Sequence, residues 1–310
     1  MDNHKLHNKE NDMTLYFFEQ AKKMMHKSKM HEDSKITTDN VFQPAHTANR
    51  DILLETMKYA HLEGSTILGV ENIIKLYELV MSGKSCIILS EHVSNLDVPS
   101  LFARFYDHPD NRLKEIFEKF IFIAGVKLNE TPLVKLFTEM FTRIVIVPIR
   151  SIEKMLQEED KYKEEIELSK KINLKSTRKI MELKSKGYIF VLYPAGTRYR
   201  PWNPDTKRGI KETTSYLNSF DYFCCCSING NNMPPREHED MTREPVYRDI
   251  IVFNFGEVME TKKFIEDELN KNKIDRENKE YVKQFIVDRI MEEIEKLHIK
   301  AEEYREKLFK

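Results

Sequence analysis

Cys86-Ile-Ile-Leu-Ser-Glu-His-Val-Ser-Asn-Leu-Asp-Val-Pro-Ser100 begins as an apolar run of strand length, turns polar, and resumes as a helix. Ser94 or Asn95 is the expected N-cap, and Pro99 falls in the first helical turn, where its missing N–H costs nothing. The same texture recurs along the chain. Short apolar runs at Cys86 to Leu89, Phe120 to Ala124, Ile144 to Ile149, Tyr188 to Tyr193, Tyr222 to Ile228 and Ile250 to Phe255 are separated by charged, amphipathic stretches. Buried strands alternating with helices predict an α/β fold, with a mixed, mostly parallel central sheet flanked by helices.

Working outward, residues 13 to 80 read as helical. Leu15, Phe17, Phe18, Ala21, Met24 and Met25 form one apolar stripe, and Leu53, Leu54, Met57, Ala60 and Leu62 a second. A polar loop from His31 to Asn49 lies between them. A third helix, carrying Ile73, Ile74, Leu76, Tyr77 and Leu79, stops at Ser82-Gly83. The expected division is a small N-terminal helical domain over 1–82 and an α/β domain over 83–310. Glu153 to Lys186 reads as a charged helix stopped by Gly187. Residues 261 to 310 read as a helical tail with Tyr281, Phe285, Ile286, Ile290, Ile294 and Leu297 on the face that packs on the sheet.

Composition narrows the function classes. Apolar residues make up 40% and charged residues 33%, which suits a globular chain with long solvated helices. Fifty basic against 51 acidic residues leave a net charge of −1, so no global field favours nucleic acid, and an anionic ligand needs a local cluster. Cys86 and the run Cys224-Cys225-Cys226 offer neither a disulfide framework nor zinc-ligand spacing, which points to a reducing, cytoplasmic setting. The polar N-terminus lacks a signal-peptide core, and no stretch approaches the roughly 20 apolar residues needed to span a bilayer. Nine glycines build no Gly-x-Gly-x-x-Gly and no Walker loop, and no Gly-x-Ser-x-Gly elbow occurs. The nine histidines other than His92 are scattered without metal-ligand spacing.

Three elements carry chemistry. His92 stands at the carboxyl end of a strand, where open α/β sheets place their sites. Asp97, in the first helical turn, can fold back toward the imidazole, where a carboxylate would fix its tautomer and stabilise the imidazolium formed when it accepts a proton. The second element is Phe190-Val-Leu-Tyr-Pro-Ala-Gly-Thr-Arg-Tyr-Arg-Pro201, a strand running into a tight turn with two arginines. Pro194, Gly196 and Thr197 suit a turn whose amides face an anion, and Arg198 and Arg200 bring donor forks that match phosphate. Lys127, and Arg150 at the exit of the run from Arg143, are weaker basic candidates.

In order and approximate spacing, His92-x-x-x-x-Asp97, a strand ending at Arg150, and Pro194-x-Gly196-Thr197-Arg198 resemble the glycerophospholipid acyltransferase family, over residues 84 to 260. The chain looks most like the soluble, plastid-type glycerol-3-phosphate 1-O-acyltransferases, which pair a small helical domain with a larger α/β domain. Membrane-bound members have Glu where this chain has Ala195, and the soluble class has a small residue there.

The resemblance implies that His92 deprotonates the acceptor hydroxyl and Asp97 orients His92. Arg198, Arg200, Lys127 and Arg150 would hold glycerol 3-phosphate. Gly196, Thr197, Ser94 and Asn95 would support the turn and the oxyanion. The acyl donor would be a thioester of acyl carrier protein or coenzyme A, with no metal and no other cofactor. An enzyme of this kind without a span either meets its membrane peripherally or uses soluble substrates. Lysophosphatidate is the alternative acceptor. A non-catalytic lipid- or anion-binding protein and a thioesterase are the alternatives outside acyl transfer. The whole reading requires the imidazole of His92 and the guanidinium groups of Arg198 and Arg200 to share one site.

Overall fold

A computed structural model describes residues 6–29, 35–129, 132–237 and 244–309. Three helices open the chain: α1 (Thr14–Met25), α2 (Arg50–Ala60) and α3 (Val70–Met81). Two short strands, β1 (Phe42–Gln43) and β2 (Thr66–Leu68), lie between them. Then follow β3 (Cys86–Ser90), α4 (Asp97–Tyr106), α5 (Arg112–Phe117), β4 (Phe120–Gly125), α6 (Pro132–Thr138) and β5 (Arg143–Ile146). The middle of the chain forms α7 (Ile149–Leu156), α8 (Glu159–Leu183), β6 (Ile189–Leu192) and α9 (Thr213–Leu217). It closes with β7 (Tyr222–Asn229), β8 (Val252–Glu260), α10 (Thr261–Lys271) and α11 (Lys279–Leu308).

The eight strands make one sheet in the order β1-β5-β4-β6-β3-β7-β8-β2. The five central strands, β5 through β7 in that order, are mutually parallel. β8 runs antiparallel to β7, β1 antiparallel to β5, and β2 parallel to β8. The α/β expectation therefore holds, as a mixed and mostly parallel sheet between two helical layers.

Strand alternation explains why the apolar runs lack polar positions. Cys86 and Ile88 of β3 face one core while Ile87 and Leu89 face the other, and β4 and β6 divide in the same way. A strand covered on both faces has no solvent side and so reads as continuously hydrophobic. The first layer buries Phe17 of α1, Leu53 of α2, Ile73 of α3, Phe102 of α4 and Leu136 of α6. The second buries Ile180 of α8, Leu217 of α9, Leu269 of α10 and Ile286, Ile290 and Ile294 of α11. The tail thus packs on the sheet along the expected stripe, although Tyr281 at its start is 54% exposed. The N-terminal helices and β3 line the same core, which is continuous across residue 82, and β1 and β2 are strands of the same sheet.

Several boundaries differ from the sequence reading, each for a physical reason. α4 starts at Asp97 with Leu96 as its N-cap, not Ser94 or Asn95. The Ser94 hydroxyl instead accepts from the Leu96 amide at 3.2 Å, a local turn bond that competes with capping. The expected strand to Ile149 ends at Ile146, because Pro148 leads directly into α7. β8 extends to Glu260, following its long antiparallel partner β7. The loop expected from His31 to Asn49 contains β1 and a 3₁₀ turn at Thr47–Asn49, with residues 31–34 outside the described residues. Among the nine other histidines, His4, His31 and His238 likewise lie outside them. No helix among the described residues is long and apolar enough to cross a membrane.

The interior also holds an ionic network that anchors α11. Arg305 is 2% exposed and Asp249 0%, and Arg305 donates to Asp249 Oδ1 at 3.0 Å. Arg305 also donates to both carboxylate oxygens of Glu302 at 2.8 and 2.9 Å and to the Ile250 carbonyl at 2.9 Å. The Asn229 side chain completes the cluster with a 2.8 Å bond to Glu302.

Candidate active site

Because β5, β4, β6, β3 and β7 are parallel, their carboxyl ends lie along one edge of the sheet. Lys127 follows β4, Arg150 follows β5, Arg198 and Arg200 follow β6, and His92 follows β3. With a spacing of about 4.8 Å per strand, roughly 14 Å of sheet separates β3 from β5. β6 lies immediately beside β3, so the arginine turn and the histidine loop are neighbours. Their backbones touch, since the Tyr199 amide donates to the His92 carbonyl at 2.8 Å.

His92 Nδ1 lies 2.7 Å from Asp97 Oδ2. The same oxygen accepts from the amides of Val93 at 2.8 Å and Ser94 at 3.1 Å. Asp97 is 3% exposed and acts as an acceptor for all three groups, so Nδ1 is assigned as the protonated nitrogen. Nε2 then carries the free lone pair, and no described protein group bonds it. The imidazole, 21% exposed, stacks on the Tyr193 ring with centroids 4.2 Å apart and planes 19° from parallel. Burial, followed by the nearby Asp97 carboxylate and Cys226, pushes the Tyr193 phenol well above its ordinary range. Tyr193 is therefore a neutral platform that limits the orientations open to His92. Its role was not visible in the sequence, where it closes an apolar run.

The turn after β6 is shaped by Gly196, whose φ of +65° suits a residue without a side chain. Its amide donates to the Tyr193 carbonyl at 2.9 Å, and the Ile210 amide ties down the Pro194 carbonyl at 2.9 Å. The amides of Thr197 and Arg198 bond no described protein group, leaving two donors in the turn that adjoins the His92 loop. Those of Val93 and Ser94 are occupied by Asp97, so the expected contribution of the His92 loop to an oxyanion site is not available from these two amides.

The two arginines differ. Arg198 makes a two-pronged pair with Glu244, Nη1 to Oε2 at 2.8 Å and Nη2 to Oε1 at 2.9 Å. Glu244 is 1% exposed and also accepts from the Asn95 side chain at 3.4 Å, so one carboxylate joins the histidine loop to the arginine turn. Nothing in the sequence singled out Glu244, which lies in a charged stretch far from both motifs. The Arg200 amide bonds Thr206 Oγ1 at 2.8 Å, and its guanidinium has no side-chain partner among the described residues. Lys127 and Arg150 are exposed and likewise without an ion-pair partner there.

Support comes from the segment after β7. The Asn231 side chain donates to the Val93 carbonyl at 2.9 Å, and its amide donates to Asp249 Oδ2 at 2.8 Å. The Ser94 hydroxyl donates to the Met233 carbonyl at 3.3 Å. On the opposite face of β3, buried Glu91 accepts from the Ile228 amide at 3.1 Å and from His298 Nδ1 of α11 at 2.8 Å. The cysteines stay out of the chemistry, because burial raises their thiols, that of Cys86 to about 12. A separate cleft of about 320 Å³, lined by Lys175, Arg178 and Lys179, lies between α8 and residues 38–42, not at the His92 loop.

Burial lowers the His298 imidazole, but the hydrogen bond and charge of Glu91 outweigh it and leave its pKa raised. Lys207 opposes this and Glu295 adds to it. A raised histidine pKa stabilises the fold fully below the unfolded value of about 6.5 and ceases to do so as pH rises through the folded value. His61, buried and held well below its ordinary value, acts in the opposite sense, so a difference measurement is needed. The stability difference between wild type and His298→Gln, from urea unfolding, should be largest near pH 6 and shrink as the pH is raised to 9.

The arrangement can remove a proton with His92 beside donors suited to an anion. No family model matches the chain, and comparison with curated proteins finds no match.

Proposed function

We propose that this protein is an acyltransferase that moves a fatty acyl group from a thioester of acyl carrier protein or coenzyme A to the sn-1 hydroxyl of glycerol 3-phosphate, giving lysophosphatidate. The observation that carries the reading is the His92–Asp97 pair, with Nε2 free, joined by a 2.8 Å backbone bond to a turn bearing two arginines. A protein that only bound anions would need the arginines but not an oriented base.

The chemistry follows from the donors and acceptors present. His92 Nε2 takes the hydroxyl proton as the acceptor oxygen attacks the thioester carbonyl, and Asp97 stabilises the imidazolium. The amides of Thr197 and Arg198 meet the charge that develops on the carbonyl oxygen. Collapse of the tetrahedral intermediate breaks the carbon–sulfur bond, and the imidazolium returns its proton to the leaving thiolate. Arg200, with Lys127 and Arg150 farther along the edge, holds the phosphate. The similarity of His92-x-x-x-x-Asp97 and Gly196-Thr197-Arg198 to the glycerophospholipid acyltransferases supports the same assignment, and Ala195 favours glycerol 3-phosphate over lysophosphatidate.

The test crosses two acyl donors, on acyl carrier protein and on coenzyme A, with two acceptors, glycerol 3-phosphate and lysophosphatidate. Acylation of glycerol 3-phosphate that exceeds that of lysophosphatidate is expected. A folded protein that acylates neither acceptor ends the proposal, and thioester cleavage without an acceptor would identify a hydrolase instead.

A further inference from the structure

We propose that Glu244 sets how tightly the site holds a phosphate group: it occupies the donor fork of Arg198 and leaves Arg200 as the principal anion ligand. The inference rests on the reading of this sheet edge as a phosphate-ester site and assigns a specificity-determining role to a residue outside both sequence motifs.

A guanidinium grips phosphate best when two parallel N–H groups meet two oxygens, and that geometry at Arg198 already belongs to Glu244, at 2.8 and 2.9 Å. The pair is largely dry, with side chains 10% and 1% exposed, so parting it would strand a buried carboxylate. The Asn95 side chain, 3.4 Å from Oε2, also bonds the carboxylate. Electrically, Arg198 and Glu244 cancel. An incoming phosphate therefore meets the positive charge of Arg200, whose guanidinium has no side-chain partner among the described residues, with Lys127 and Arg150 beyond it. By neutralising Arg198, Glu244 withholds a second positive charge from the phosphate and so weakens the hold of the site. Such restraint has a use when acceptor and product both carry the phosphate, because a site that grips one too firmly releases the other slowly.

Titration calorimetry of the full chain with inorganic phosphate and with glycerol 3-phosphate tests this. Glu244→Gln removes the competing charge and should tighten both ligands roughly tenfold. The double variant Arg198→Met, Glu244→Met removes a neutral pair and should bind within about threefold of wild type, whereas Arg200→Met should weaken binding at least about tenfold. The double variant also covers the case in which Glu244→Gln alone fails to fold, since apolar replacement of a whole buried pair is commonly tolerated. In kinetic assays the KM for the acceptor should follow these changes and that for the acyl donor should not.

Weaker phosphate binding by Glu244→Gln, or a double variant as impaired as Arg200→Met, overturns the inference. Unchanged affinity in Glu244→Gln alongside normal acyl transfer by the wild type overturns it alone. A wild-type chain that neither binds phosphate esters nor transfers acyl groups overturns the underlying reading as well.

Discussion

His92→Ala should lower kcat for acyl transfer by about 10³-fold or more while the protein keeps its wild-type circular dichroism and unfolding midpoint. General-base assistance typically contributes about 10²–10⁴-fold. Glu91, the neighbouring carboxylate, faces the other side of the sheet, where Ile228 and His298 hold it. Asp97→Asn should cost nearly as much by a different route. An amide in place of the carboxylate can donate to Nδ1, which favours the wrong tautomer and moves the proton to Nε2. That variant also loses the charged acceptor for the Val93 and Ser94 amides, so its loop should exchange amide hydrogens faster. A folded His92→Ala protein with near-normal turnover would remove His92 from its assigned role.

Arg305→Met should destabilise the protein by about 3–5 kcal/mol in urea unfolding, a large share of the roughly 5–15 kcal/mol that holds a typical domain together. The variant leaves Asp249, at 0% exposure, without the guanidinium 3.0 Å away, and leaves Glu302 without the Nη1 donor that both of its oxygens share. The second variant in the series is Arg305→Met combined with Asp249→Asn. Removing both charges should recover more than half of the loss, because the cost lies mainly in the orphaned carboxylate. Equal destabilisation of the single and double variants would show that shape, not charge, dominates at this position. Turnover should also fall in the folded fraction of Arg305→Met, because Asp249 Oδ2 holds the Asn231 amide and the Asn231 side chain holds the Val93 carbonyl.

How far such features can be read from sequence depends on the range of the interactions. The strands of the central sheet were legible because coverage on both faces writes itself as unbroken apolar runs. The His92–Asp97 pair was legible because five residues span one strand-to-helix turn. The N-cap of α4 was not legible, because the Ser94 hydroxyl accepts from the Leu96 amide in a turn that precedes the helix, and α4 begins only at Asp97. β1 and β2 were missed because strands of two and three residues leave too little pattern, and they exist only through the neighbours they pair with. Glu244 and Arg305 were illegible for a different reason. Each sits among other charged residues, and only the tertiary fold decides which charge is buried.

The alternation of β3 has a bearing on how activity could be adjusted. Positions 91 and 92 are consecutive, yet one side chain bonds His298 of α11 and the other Asp97 on the opposite side. A substitution at His298 on the far helical layer would thus act on the His92 loop from behind, one peptide bond away.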